Sequence, residues 1–127
     1  DQLRGRTCTV QDTVHGDGLF KRQIGGRGRF GHVRLSVSPH PGVHGYRFVW
    51  PTAASMALPQ AYMREACLRG AVLALREPTI DGRQVVCVAV TVTDGSYHEH
   101  DSDDDSFERA SYIAVRDTLR KATLAEA

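Results

Sequence analysis

Residues 25–38 read Gly-Gly-Arg-Gly-Arg-Phe-Gly-His-Val-Arg-Leu-Ser-Val-Ser, a glycine-rich segment that runs directly into an alternating pattern. The alternation over residues 32–38 predicts a strand with one buried face. The residues on that face are Val33, Leu35 and Val37. In residues 25–31, glycine permits close approach of the backbone to a partner, and the planar guanidinium of arginine suits phosphate oxygens. We interpret residues 25–31 as a loop that leads into this strand.

Basic charge is concentrated around this loop. Between Lys21 and Arg34 the sequence contains five basic residues and no acidic residue. Such a loop is suited to a polyanion, and RNA is the partner that fits it best. The alternative is a turn whose arginines are only solvated, and the residues alone favour neither. Phe30 would either stack on a base or pin the loop to the core. The candidate contacts are Gly25, Gly26, Arg27, Gly28, Arg29 and Phe30.

Two nucleotide-binding motifs can be set aside for this loop. It lacks the lysine and hydroxyl residue of a P-loop, and it leads into a strand, which excludes a dinucleotide fingerprint. The net charge of +1 is also unevenly distributed. Residues 1–50 carry eight Lys or Arg against three acids, whereas residues 51–127 carry eight against twelve. A polyanion would therefore have to bind locally, at the basic loop.

Length and composition limit the class of protein. The chain has 127 residues, which suits a single domain over residues 1–127. No apolar run approaches the roughly 20 residues that span a bilayer, and the first residues do not resemble a signal peptide. Cys8, Cys67 and Cys87 lie among apolar neighbours, which indicates buried free thiols and a cytoplasmic location. We expect the isolated domain to be a monomer.

Alternation and turn residues predict five strands, at residues 7–14, 19–24, 32–38, 46–50 and 85–93. Residues 15–18, His-Gly-Asp-Gly, are interpreted as the turn of a hairpin between the first two strands. The last strand is expected to be central because valines occupy one of its faces. These valines are Val86, Val88, Val90 and Val92.

Two helices are predicted, at residues 59–75 and 106–122. Pro59 suits a first helical turn, and aspartates at 103–105 suit the start of the second helix. The inward stripe of the first helix contains small residues, which suggests close packing on a sheet. This stripe is Met63, Ala66, Cys67, Gly70 and Ala74. The element order indicates an α+β fold with two helices on one face of a four-stranded, mostly antiparallel sheet.

Residues 94–105 connect the last strand to the second helix and read Asp-Gly-Ser-Tyr-His-Glu-His-Asp-Ser-Asp-Asp-Asp. They could hold a metal through His98 and His100, although no third His or suitable Cys is near. A local Ser-His-Asp set is present, but hydrolase triads are not usually local in sequence. The remaining interpretations are an acidic helix cap and a tip that recognises RNA by shape. The candidate tip residues are Ser96, Tyr97, His98, Glu99 and His100.

The two loops together resemble domain IV of bacterial translation elongation factor G or of a divergent paralogue. Residues 25–33 are similar to its first tip loop, and residues 94–102 to its second, with His98 in the matching place. Residues 16–23, 45–48 and 58–62 also follow the family's order, so the resemblance covers nearly the whole chain. It implies a fold like domain 2 of ribosomal protein S-five, with a left-handed β-α-β crossover. Such crossovers are otherwise right-handed in about 98% of cases.

The resemblance also implies a function. In the family this domain is a non-catalytic arm that enters the decoding region of the ribosome and promotes translocation by contacting small-subunit RNA, tRNA and mRNA. It holds no cofactor or metal itself. GTP and magnesium would bind a GTPase domain of the parent protein, from which this chain would be excised. At the second loop, we expect Gly95 and Ser96 to bend the chain and Tyr97 to support it from the core side. His98 would then project into solvent beside the first loop.

Several residues depart from the family's pattern and suggest a divergent paralogue. Ile24 replaces a serine, Arg29 a glutamine, Phe30 a tyrosine and His100 an aliphatic residue, while Asp103 adds negative charge. One alternative is a tetracycline-resistance ribosomal protection protein, although the tip loops of that class lack the glycine-arginine motif. The other is a stand-alone RNA-binding module.

Overall fold

A four-stranded sheet forms the frame of the protein in the computed structural model, which describes residues 7–24, 27–79 and 81–127. The described residues form seven strands and three helices. In chain order these are β1 Thr7–Val10, β2 Val14–Ile24, β3 Arg27–Pro39, β4 Tyr46–Val49, α1 Thr52–Ala57, α2 Ala61–Arg76, β5 Gln84–Val85, β6 Val88–Ser96, α3 Asp104–Lys121 and β7 Leu124–Glu126.

The main sheet has the strand order β2-β3-β6-β4. The pairs β2–β3 and β3–β6 are antiparallel, whereas β4 lies parallel to β6. This mixed, mostly antiparallel sheet with helices confirms the predicted α+β fold. The parallel neighbours β4 and β6 are joined through α1 and α2, so the chain contains a β-α-β crossover. The left hand of this crossover stays an expectation of the resemblance.

The predicted hairpin between residues 7–14 and 19–24 is wrong. β1 ends at Val10 and pairs with β5 and β7 in a second, three-stranded sheet, which the sequence analysis missed. Residues 15–18 lie inside β2 and pair with residues 33–36 of β3. Their two glycines serve helix packing, because a Cβ at Gly16 or Gly18 would overlap the carbonyl oxygen of Ala114 or Ala110 in α3. Glycine at a close backbone approach was mistaken for glycine in a turn.

Helix α2 packs against α3 through the predicted small-residue stripe, all of which is buried. The closest approach at Gly70 is to α3 rather than to the sheet, since a Cβ at Gly70 would overlap the Glu108 carbonyl oxygen of α3. The hydroxyl of Ser111 in α3 donates to the Cys67 carbonyl oxygen at 2.7 Å. The helix begins at Ala61 rather than Pro59, and the short helix α1 before it was not predicted.

The central position of β6 is confirmed, since it lies between β3 and β4. Its valines at 88, 90 and 92 are fully buried, but the predicted strand 85–93 is interrupted, because Cys87 adopts a positive φ of 59° and separates β5 from β6. Phe48 and Val86 are only partly buried. Of the three free cysteines, Cys8 and Cys67 are buried and Cys87 is half-buried. Among the described helices, none combines the length and hydropathy needed to cross a membrane.

Candidate nucleic-acid interface at the hairpin tip

The described part of the glycine-rich segment, residues 27–31, lies at the end of a long hairpin between β2 and β3. Residues 27–31 belong to β3, and they pair with residues 20–24, so the prediction that all of residues 25–31 form a loop is wrong. Antiparallel pairing extends to Ile24 opposite Arg27. Gly25, Gly26 and the side chain of Arg27 lie outside the described part of the structure.

The second candidate loop is shorter than predicted and spans residues 97–103, between β6 and α3. Gly95 and Ser96 do not bend the chain but pair within β6 opposite Val33 and His32. A Cβ at Gly95 would lie 2.6 Å from the His32 carbonyl oxygen, so close packing against β3 requires glycine at this position. The loop therefore leaves the sheet directly beside the end of the hairpin.

Three contacts join the two segments around Phe30, and a fourth lies within the second segment. Its backbone N–H donates to the Asp101 carbonyl oxygen at 2.9 Å, and its carbonyl oxygen accepts from the Ser102 hydroxyl at 2.8 Å. The same hydroxyl accepts from the His98 backbone N–H at 2.9 Å. The rings of Phe30 and His98 stack with centroids 3.8 Å apart and planes within 6°. Both candidate segments thus form one continuous tip, with His98 exposed beside the first segment as expected.

The other candidate residues of the second segment, at positions 97, 99 and 100, face solvent. Glu99 and His100 are exposed, and Tyr97 is 39% exposed, so the expected core-side support by Tyr97 is wrong. Gly28 is half-buried, and a Cβ there would lie 3.0 Å from the Asp101 carboxylate. The tip therefore presents an imidazole pair and a phenol to solvent, groups that hydrogen-bond and stack.

Arg29 is engaged within the domain. Its Nη2 lies 2.5 Å from an Asp105 carboxylate oxygen and 3.4 Å from one of Asp103, at the start of α3. Asp103 also caps α3, as the predicted acidic start suggested, by accepting from the Ser106 backbone N–H at 2.8 Å. Burial alone would raise the pKa of the Asp103 carboxyl, but the Ser106 and Arg29 contacts hold it below its usual value.

Comparison with known proteins shows the family to which the chain belongs. Residues 5–123 match the family described as elongation factor G, domain IV. The chain belongs to this domain IV family. It is also similar to a solved protein of Thermus thermophilus, with 30% sequence identity and a TM-score of 0.82 over 93% of this chain. The chain spans 17% of the length of that protein.

In this domain IV, a network on three strands supports the base of the tip. His32 on β3 lies between Asp17 on β2, at 2.8 Å from Nε2, and Ser96 on β6, at 3.2 Å from Nδ1. Arg34 donates to the same Asp17 oxygen at 3.1 Å. Burial would raise the pKa of the Asp17 carboxyl, but the hydrogen bonds and charges of His32 and Arg34 lower it overall. No pattern in the sequence indicates this network, because its members meet only in the register of the sheet.

Within the described residues, the side chains of the second segment are not arranged as a Ser-His-Asp triad or as a set of metal ligands. Ser96 pairs with His32 rather than with His98, so the local Ser-His-Asp set is not assembled. Within residues 7–24, 27–79 and 81–127, no three His, Cys, Asp or Glu side chains converge as metal ligands would. The arrangement at the tip is instead one of aromatic stacking and backbone hydrogen bonds.

Proposed function

We propose that this domain is the ribosome-contacting arm of an elongation factor G-like translational GTPase. Its tip would enter the decoding region of the small subunit and promote movement of tRNA and mRNA. The observation that carries the proposal is the stack of Phe30 on His98, which joins the two tip segments into one surface. Family membership supports a role in translation.

The hairpin has the reach that an arm requires. Pairing runs from Val14 opposite Val37 to Ile24 opposite Arg27, which is ten residue steps along β2. At about 3.3 Å per residue, the tip extends roughly 33 Å from the start of β2. Only three residues separate β1 from the start of β2. Strand β1, which holds the first described residues, therefore lies at the end of the hairpin opposite the tip.

The exposed groups at the tip suit single-stranded or irregular RNA. One face of the His98 ring is covered by Phe30, and the side chain remains exposed to stack on a base or donate a hydrogen bond. Lys21 and Arg22 are exposed on the same hairpin and would meet phosphates. The tip would make contacts rather than carry out chemistry. Hydrolysis of GTP with magnesium, and a cytoplasmic location, are proposed for the parent protein.

The experiment that tests this proposal compares two histidines at opposite ends of the sheet. His98→Ala should weaken binding of the chain to purified small ribosomal subunits carrying mRNA and tRNA by about 5- to 150-fold, the range of one lost stacking contact. His44→Ala is the matched control, because His44 is also exposed but lies in the turn between β3 and β4. Equal affinities of the two variants would contradict the proposal.

A further inference from the structure

Arg29 and Phe30 hold the end of β3 to two different parts of the protein. Phe30 is bound to the second tip segment by its backbone and its ring. Arg29 is bound to the start of α3 through Asp103 and Asp105, and its guanidinium also lies 5.8 Å from the ring of Phe20. Adjacent residues of a strand point to opposite faces, so these contacts fix both faces of β3 at the tip.

Carboxylates of the domain itself already neutralise the charge of Arg29. Two carboxylates lie within 3.4 Å of its Nη2, and only 30% of its side chain is exposed. An approaching phosphate would meet these carboxylates as well as the guanidinium, so like-charge repulsion would offset the attraction. A direct phosphate contact from Arg29 is therefore disfavoured, whereas its planar fork suits the two carboxylates.

We propose that Arg29 is a positioning residue, which acts on the partner through Phe30 and His98. Together with Asp103 and Asp105 it forms an ion-pair latch that fixes the end of the hairpin against the start of α3. The strand already lies close there, because a Cβ at Gly31 would be 2.6 Å from the Ser106 carbonyl oxygen. The latch holds Phe30 in the position where His98 stacks on it. The inference rests on the proposed function for its partner, the ribosome.

The latch is tested first in the chain alone, by amide hydrogen exchange at Phe30, whose N–H is bonded to Asp101. Arg29→Gln and Asp105→Asn should each lower the protection of this amide by about two- to tenfold, the effect of losing partly exposed ion pairs. Arg29→Lys should retain most of the protection, since it keeps one charge.

Two control variants separate the latch from the general effect of charge at the start of α3. Asp104→Asn removes the neighbouring acid, which lies 3.7 Å from Arg69 instead. Arg109→Gln removes the other partner of Asp105, 2.8 Å away. Both should leave the protection of Phe30 unchanged. Equal loss of protection in the two control variants and in Arg29→Gln and Asp105→Asn, or no loss in any of these, would overturn the latch.

Binding to small ribosomal subunits then distinguishes positioning from direct contact, because the two roles predict opposite changes in affinity for Asp105→Asn. If Arg29 positions the tip, Asp105→Asn and Arg29→Gln both weaken binding and leave its salt dependence unchanged. If Arg29 contacts phosphate, Asp105→Asn strengthens binding, and Arg29→Gln lowers the log–log salt slope by about 0.7 to 0.9, which would overturn the inference. Absence of binding by the unmodified chain would contradict the proposed function, while the Phe30 pattern would still support the latch.

Discussion

Single glycines decide how closely α3 lies on the sheet. In β2, Gly16 and Gly18 face the backbone of α3, and any side chain there would occupy the space of Ala114 and Ala110. Because these obstacles are backbone atoms, rotation of a side chain cannot make room. The positions therefore tolerate no Cβ without movement of the helix or strand.

Replacement of Gly18 by alanine should lower the free energy of unfolding by about 1–3 kcal/mol or more, the usual cost of overpacking. Gly45→Ala is the matched control, since no heavy atom lies within 4 Å of a Cβ at Gly45. Urea unfolding of both variants measures the difference. A Gly18→Ala variant as stable as Gly45→Ala would contradict the packing of α3 on β2.

The Asp17 carboxyl makes stability depend on pH. Although burial would raise its pKa, the contacts with His32 and Arg34 lower it below the ordinary 3.8. A lowered pKa means that the folded state favours the ionised form, so this contribution is complete above pH 3.8 and is lost as the pH falls through the lower folded value. Asp17→Asn removes the contribution at any pH.

The stability difference between the unmodified chain and Asp17→Asn should therefore shrink between about pH 5 and about pH 3. Denaturant titrations at both pH values measure it. Asp12→Asn, an exposed carboxyl in the turn between β1 and β2, controls for the change in net charge. A difference that grows as the pH falls would show that the Asp17 contacts favour the protonated carboxyl instead.

At the level of elements, periodic segments were predicted well and glycine-containing ones poorly. Alternating valines located β6, and spacing located α2 and α3, because burial of one face dominates these patterns. Residues 15–18 and 27–31 were misassigned because glycine in a strand and glycine in a turn look alike in sequence. The small sheet β5-β1-β7 was missed because its strands are short and its pairs join distant parts of the chain.

The candidate site was predictable as two segments but not as a set of contacts. Composition and family resemblance located both segments. The contacts of Phe30 with Asp101 and Ser102 join residues more than 70 positions apart, and the register of β3 against β6 brings them together. Arg29 and Asp103 both depart from the family's pattern, and one ion pair between them accounts for both residues.

The central position of β6 gives a prediction at this scale. Val88→Asp should destabilise the domain by about 4 kcal/mol or more, because Val88 is fully buried and the new carboxylate would have no partner. Thr93→Asp, at an exposed position of the same strand, should change stability by less than about 1 kcal/mol. Thermal unfolding compares the two, and a Val88→Asp variant with unchanged stability would contradict the burial of β6.

Across the whole molecule, basic residues from the first 50 positions and acidic residues from the rest of the chain lie close together at the tip. The basic residues 21, 22, 27, 29 and 34 lie on the hairpin strands β2 and β3, and the acids at 103–105 lie at the start of the helix beside it. Part of the positive charge is thereby neutralised within the domain, as Arg29 shows. Recognition of RNA would thus depend on the shape and stacking of the tip as well as on its charge.

The most direct test of the account uses two tyrosines at opposite ends of the main sheet. Tyr97 follows the last residue of β6 and is 39% exposed, whereas Tyr46 pairs with Val88 at the first residue of β6 and is 44% exposed. Hydroxyl-radical oxidation, followed by mass spectrometry, reports the exposure of each side chain with and without saturating small ribosomal subunits. We expect the subunits to protect Tyr97 from oxidation, while Tyr46 keeps its oxidation rate. Protection of Tyr46 with Tyr97 unchanged, or no protection of either at saturation, would contradict the claim that this tip contacts the ribosome.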